Sequence, residues 1–94
     1  MSIVKIEGSK KGHKVFLYTL STCGWCKKTK QYLKDNDIHY EYLDVDKCTR
    51  EERERAIDDI KKRQAPLGFP VAIIDDEIII SGYKVEKYKE VLGI

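Results

Sequence analysis

The chain has 94 residues, which is room for one domain and no second core. Apolar residues make up 41% and charged residues 36%, a globular composition that excludes a disordered chain. The 18 basic and 16 acidic residues are interspersed and leave a net charge of +2. That speaks against the clustered basic face of a nucleic-acid binder, and no run approaches the ~18 apolar residues of a membrane span.

The elements follow in chain order. Residues 1–14 scatter charges among a few apolar side chains and lack the apolar stretch of a secretory signal, so a cytoplasmic location is expected. Within them Ile3 to Glu7 is a short strand candidate, and Gly8 to Gly12 reads as a polar turn. The run Lys14-Val15-Phe16-Leu17-Tyr18-Thr19-Leu20 is β-branched, aromatic and nearly continuous, which predicts a buried central strand. Ser21 and Thr22 lead into Cys23-Gly24-Trp25-Cys26. From Gly24 to about Lys34 the spacing predicts a helix with Trp25, Tyr32 and Leu33 able to share a face. Asp35-Asn36-Asp37 ends it as a turn.

Ile38 to Val45 reads as a second strand of the core. Thr49 is placed to cap the next helix, with Glu52 three residues on as its capping-box partner. That helix runs to about Gln64 with Ala56, Ile57 and Ile60 as its apolar stripe. Opposite charges crowd its other faces, the pattern of a solvated surface. Pro66, Gly68 and Pro70 break the chain. Val71 to Ile74 and Ile78 to Ile80, joined by Asp75-Asp76-Glu77, predict a β-hairpin. Ser81-Gly82-Tyr83 turns into a last helix, Val85 to Leu92.

The order β-α-β-α-β-β-α predicts a four-stranded mixed sheet covered by helices, with a possible extra short N-terminal strand. Residues 1–12 are read as an N-terminal extension and 13–94 as the core of a single domain.

Three cysteines in a chain expected in the cytoplasm point to redox work or metal binding rather than to a disulfide scaffold. Thiol–disulfide exchange needs an exposed thiolate and a second thiol that reaches the same sulfur. Cys23 follows a buried strand and opens a helix, where backbone N–H groups and the helix dipole favour a negative sulfur. Lys27 and Lys28 are the expected sources of an added positive field. Cys26, on the same side of the first turn and more buried, is placed to resolve a mixed disulfide. Cys23 is therefore read as the nucleophile and Cys26 as the resolving thiol. The competing readings are a pair of core cysteines and part of a zinc site, for which Cys48, His13 and His39 are the other ligand types at hand. Cys48 is either an exposed thiol for regulation or dimerisation, or a small unreactive side chain.

From Val15 to Leu92 the chain resembles the glutaredoxin family of the thioredoxin fold. The resemblance rests on Cys23-Gly24-Trp25-Cys26, on Gly68-Phe69-Pro70 ahead of a strand, and on Ser81-Gly82-Tyr83 after the hairpin. It implies a cis-proline at Pro70 facing the cysteines and a substrate-pairing backbone at Phe69. It also implies a tight turn or close backbone approach at Gly82, beside Tyr83. Read from the residues alone, Pro70 is favoured as a trans strand-start breaker, Gly82 is equally a plain turn, and Trp25, expected to be partly exposed, is either a partner contact or helix-start packing.

Members that use glutathione commonly carry a lysine three residues before the first cysteine, here Leu20. They also carry an acidic or hydroxyl residue after the Gly-Gly turn, here Lys84 and Val85, and a threonine where Gly68 stands. The run from Ser81 to Lys87 is instead similar to glutaredoxin-like redoxins that pass electrons to ribonucleotide reductase and are reduced by thioredoxin reductase. The expectation is a monomeric dithiol oxidoreductase that reduces protein disulfides. A glutathione-dependent enzyme is the alternative. A further alternative is a carrier of a [2Fe-2S] cluster, which Gly24 after the first cysteine would suit.

Overall fold

The computed structural model describes residues 2–66 and 68–94. Five strands and three helices follow one another as β1 (Val4–Ile6), β2 (Val15–Thr19), α1 (Gly24–Asp35), β3 (Tyr40–Asp44), α2 (Arg50–Lys62), β4 (Val71–Ile74), β5 (Ile78–Ser81) and α3 (Val85–Leu92). The strand order is β1-β3-β2-β4-β5. Strands β2 and β3 are parallel, and every other pairing is antiparallel.

The expected four-stranded core is extended by the short N-terminal strand, which is a full member of the sheet. Val4, Lys5 and Ile6 pair with Tyr42, Glu41 and Tyr40. The following turn is held by Gly8, where a Cβ would stand 2.5 Å from the Ile38 carbonyl carbon. Just beyond, the Lys10 N–H donates to the Asp37 carbonyl (3.0 Å) and the His39 N–H donates to the Lys10 carbonyl (3.1 Å).

The core lies on both faces of the sheet. Side chains alternate along a strand, so Val15 and Leu17 of β2 and Ala72 and Ile74 of β4 share one face with Leu33, Tyr88 and Leu92 of α1 and α3. Tyr18, Val71 and Ile73 face the other way, against Ala56 and Ile60 of α2. All four residues of β4 are buried. A central strand covered on both faces needs an unbroken apolar run, and this is why β2 and β4 are legible as strands.

The ends of α2 follow local rules. The Thr49 hydroxyl accepts from the Glu52 N–H at 3.1 Å, and the Glu52 carboxylate accepts from the Thr49 N–H at 3.1 Å, the reciprocal arrangement of a capping box. The same carboxylate accepts from the Ser2 N–H and hydroxyl. At the hairpin, Asp75 and Asp76 take φ of 55° and 61° in the left-handed region, and the Glu77 N–H donates to the Ile74 carbonyl at 3.2 Å to close the turn. Asp75 holds that turn by accepting from the Lys14 N–H at 2.8 Å and bonding the His13 ring at 2.8 Å. The charged helix α2 is not solvated throughout. Arg53 donates to the Val45 carbonyl, and Arg63 ties Asp59 to the hairpin carbonyl of Asp76. Among the described residues no helix is long and apolar enough to cross a membrane.

Candidate active site

Strand β2 delivers the chain to its carboxyl end, where the Cys23 N–H donates to the Leu20 carbonyl at 3.1 Å. Cys23 caps α1 in extended backbone conformation, φ −82° and ψ 119°. Its sulfur takes the place of a capping oxygen and accepts from the Cys26 N–H at 3.3 Å. A group at this position meets unsatisfied N–H donors and the positive end of the helix dipole. Cys23 is half-buried, whereas Cys26, facing into the core, is wholly buried. Both are free thiols.

Their environments push the two thiols apart. Partial burial works against a negative Cys23 sulfur. The Cys26 thiol, the N–H groups of Cys26 and Trp25, and the Lys30 charge outweigh it, so the Cys23 thiol is held below its ordinary value. Burial is the main reason that Cys26 is pushed up to about 12, and the neighbouring Cys23 sulfur adds to it. Of the two sulfurs, Cys23 is therefore the one that holds a negative charge more readily.

Among the lysines it is Lys30, rather than the expected Lys27 and Lys28, that adds a small favourable effect at both sulfurs. Lys28 is turned toward Trp25, its Nζ 4.7 Å from the ring centroid. Lys30 stands one turn beyond Cys26, and that spacing is the signal available in the sequence.

The distant segments close around the pair. The Phe69–Pro70 peptide is cis, and the Phe69 carbonyl lies 3.9 Å from Cys23 Sγ, within reach of its S–H. Pro70 is fully buried. Its carbonyl accepts from the Gly82 N–H at 2.8 Å. Gly82 has φ +89°, a left-handed conformation that glycine adopts without Cβ strain. Next to it, Tyr83 stacks on Trp25 with centroids 5.8 Å apart and an interplanar angle of 29°. Tyr83 also meets Tyr32 edge-on at 6.3 Å.

One contact after another thus brings together Cys23, Cys26, Trp25, Phe69, Pro70, Gly82 and Tyr83. Trp25 is 56% exposed, as expected of a residue between the two cysteines at the helix start, and Tyr83 offers its ring a partner at the surface. Cys48 lies apart from this group, half-buried against the α2 side of the core, with its Sγ 3.5 Å from the Val45 carbonyl.

Two further positions bear on what the site can hold. Leu20 packs against the apolar cluster under α2 and offers no charge. Lys84 begins α3 without any side-chain capping bond, so that helix start carries a cation and no acceptor side chain.

Comparison with known proteins agrees with this geometry. The glutaredoxin family model matches residues 15–79. A glutaredoxin-like 8.6 kDa protein in the rubredoxin operon of Clostridium pasteurianum is 37% identical over 76 residues, covering 74% of this chain and 87% of that protein. The crystal structure of the glutaredoxin from Methanosarcina mazei Go1 superposes with a TM-score of 0.87 at 37% identity, over 100% of this chain and 90% of the other. Methanosarcina acetivorans methanoredoxin gives 0.82 at 41% identity, over 86% and 85%. The thioredoxin-like arrangement of sheet and helices, and a redox role for the chain, follow from these likenesses. The chain belongs to the glutaredoxin family.

Proposed function

We propose that this protein is a dithiol redoxin that reduces disulfide bonds in partner proteins through Cys23 and Cys26. The observation that carries the reading is the opposed state of the two thiols. Cys23 is half-buried at a helix start and favoured as thiolate, while Cys26 is buried and pushed up to about 12. A redoxin of this kind begins with one reactive sulfur and keeps the second in reserve.

The Cys23 thiolate attacks one sulfur of a partner disulfide, and the partner's other sulfur leaves as a thiolate. Cys26 then loses its proton and attacks Cys23 Sγ. The Cys23–Cys26 disulfide forms and the partner's second sulfur is released. Two electrons pass to the partner, whose two sulfurs take up protons to end as thiols. The backbone at Phe69 is suited to pair with an extended partner segment, and the exposed Trp25 ring on Tyr83 offers an apolar contact beside it.

The reductant we favour is a thioredoxin reductase, with the protein acting as a monomer in the reducing cytoplasm. Leu20 packed into the core and Lys84 at the start of α3 are a poor set for binding glutathione, which needs a cation for its carboxylate and an acceptor for its amino group. A ribonucleotide reductase is the substrate that the Ser81–Lys87 run favours.

Two experiments test this. The oxidised protein should be turned over by thioredoxin reductase and NADPH faster than by glutathione; fast turnover by glutathione alone would reverse the choice of reductant. A Cys26→Ser variant should stall as a mixed disulfide with its substrates. If Cys23→Ser trapped the same partners instead, the roles of the two cysteines would be exchanged.

A further inference from the structure

Helix α1 carries Lys30 one turn beyond Cys26, at the spacing that sets two side chains next to each other on a helix. Its ammonium is held rather than free. Lys30 Nζ lies 3.0 Å from Asp44 Oδ1, and the two side chains are only 19% and 18% exposed. The same nitrogen stands 3.8 Å from the centroid of the Tyr42 ring. Asp44 is fixed at that same oxygen, because the fully buried Thr19 donates its hydroxyl to Oδ1 at 2.5 Å. Thr19 and Asp44 are register partners at the carboxyl ends of β2 and β3. From that end the chain leaves β2 for Cys23.

An ion pair so far removed from water is a weak source of stability, since desolvation offsets most of the attraction. Two apolar side chains of the same bulk would join α1 to β3 as well. They would not supply a fixed positive charge beside sulfurs that must become anions. We propose that Lys30 is a positioning residue for the dithiol: Asp44 holds its ammonium beside the first turns of α1, where it stabilises the thiolate on whichever cysteine carries it and where Asp44 tempers the strength of that field. This rests on the reading of Cys23 and Cys26 as the exchanging pair.

In that reading the negative charge sits on Cys23 in the first step and on Cys26 in the second. Both sulfurs respond to Lys30 in the favourable direction. Among the described residues the buried phenol of Tyr88 from α3 faces Cys26, and Asp44 from β3 faces Lys30. Lys28 is engaged with Trp25.

The test titrates the Cys23 sulfur itself. The reduced full-length chain is alkylated with iodoacetamide across a pH series, and Cys23 is read separately from Cys26 and Cys48 by peptide mass spectrometry. Lys30→Met keeps the stem over Tyr42 and removes the charge; it should move the Cys23 inflection upward by about half a pH unit, as expected for one partly screened charge. Lys30→Arg should restore the wild-type inflection. Asp44→Asn frees the ammonium from its counter-charge and should move the inflection down.

Opposite signs for the two halves of the pair separate charge from packing, because loosened packing disturbs the same contact in both variants. No shift in Lys30→Met, or shifts of the same sign in both, would overturn the proposal. If Lys30→Met fails to fold by circular dichroism, Asp44→Asn decides alone, a downward shift supporting and a null or upward shift overturning. A wild-type chain that reduces no protein disulfide while these shifts appear as expected would remove the proposed function and leave the electrostatic role standing.

Discussion

Exchanging Cys26 for alanine or for serine measures how much of the Cys23 thiolate depends on its neighbour. Two donors at position 26 face the Cys23 sulfur. The backbone N–H lies 3.3 Å away and survives both substitutions. The side-chain thiol also favours the anion; serine replaces it with a hydroxyl donor and alanine removes it. A hydrogen bond to a charged group contributes about 1.5–3 kcal/mol. A thiol is a weak donor and the sulfur is half in solvent, so about 1 kcal/mol is the reasonable share. That equals roughly 0.7 of a pH unit.

The sign follows from the direction of the shift. Cys23 is held below its ordinary value in the wild type, so its thiolate persists to lower pH. Losing a donor raises the inflection and removes thiolate at a fixed acidic pH. At pH 6 the alkylation rate of Cys23 should fall about fivefold in Cys26→Ala, the fold-change equivalent of that shift, and stay near wild type in Cys26→Ser. Rates taken from pH 5 to 10 with the modified peptide identified by mass would give both inflections. Coincident curves for the alanine and serine variants, or an alanine curve displaced to lower pH, would refute a role for the Cys26 thiol in holding the Cys23 charge.

Three other variants test how the frame around the pair is built. Gly24 opens α1 with nothing within 4 Å of where a Cβ would stand, and Cys23 before it is already extended, so Gly24→Pro should raise stability by about 0.5–1 kcal/mol; a lower melting temperature would contradict this. Gly8→Ala brings a methyl group to 2.5 Å from the Ile38 carbonyl carbon and should displace the two backbone bonds of Lys10, costing about 2 kcal/mol, or on the order of 10 °C in Tm. Thermal unfolding unchanged from wild type would show that the segment yields without loss. The Tyr88 hydroxyl is buried with no hydrogen-bond partner among the described residues, so Tyr88→Phe should be neutral or stabilising by about 1 kcal/mol in urea unfolding; a clear loss would reveal a bond that the hydroxyl makes.

Much of the frame is legible before tertiary contacts are considered. The runs Val15–Thr19 and Val71–Ile74 read as strands because strands buried on both faces carry an unbroken apolar run. Thr49 and Glu52 announce the start of α2 because a capping box is completed within four residues. The boundaries of α3 and the turn at Asp75 and Asp76 are equally local. The dithiol is legible for the same reason: its spacing and its place between strand and helix lie within one short segment.

The departures share the opposite property. The exposure of Trp25 is expected from its place between the cysteines, but the stacking of its ring on Tyr83, a residue outside α1, has no local signal. Nearness in sequence favours Lys27 and Lys28 as neighbours of Cys23, whereas it is Lys30 whose ammonium is held at Asp44, which the β2–β3 pairing brings alongside. The short strand Val4–Ile6 is no more than a candidate in the sequence because three residues have no stable structure without a partner, and β3 supplies one.

The sequence alone thus determined the element order and the pair Cys23 and Cys26, since periodicity, capping and the helix dipole act over a few residues. Only the tertiary structure decided how completely Cys26 is buried, which lysine is held at Asp44, and how Phe69, Pro70 and Gly82 close against the pair. Those contacts join residues far apart in the chain, and they exist only once the strand order β1-β3-β2-β4-β5 has formed.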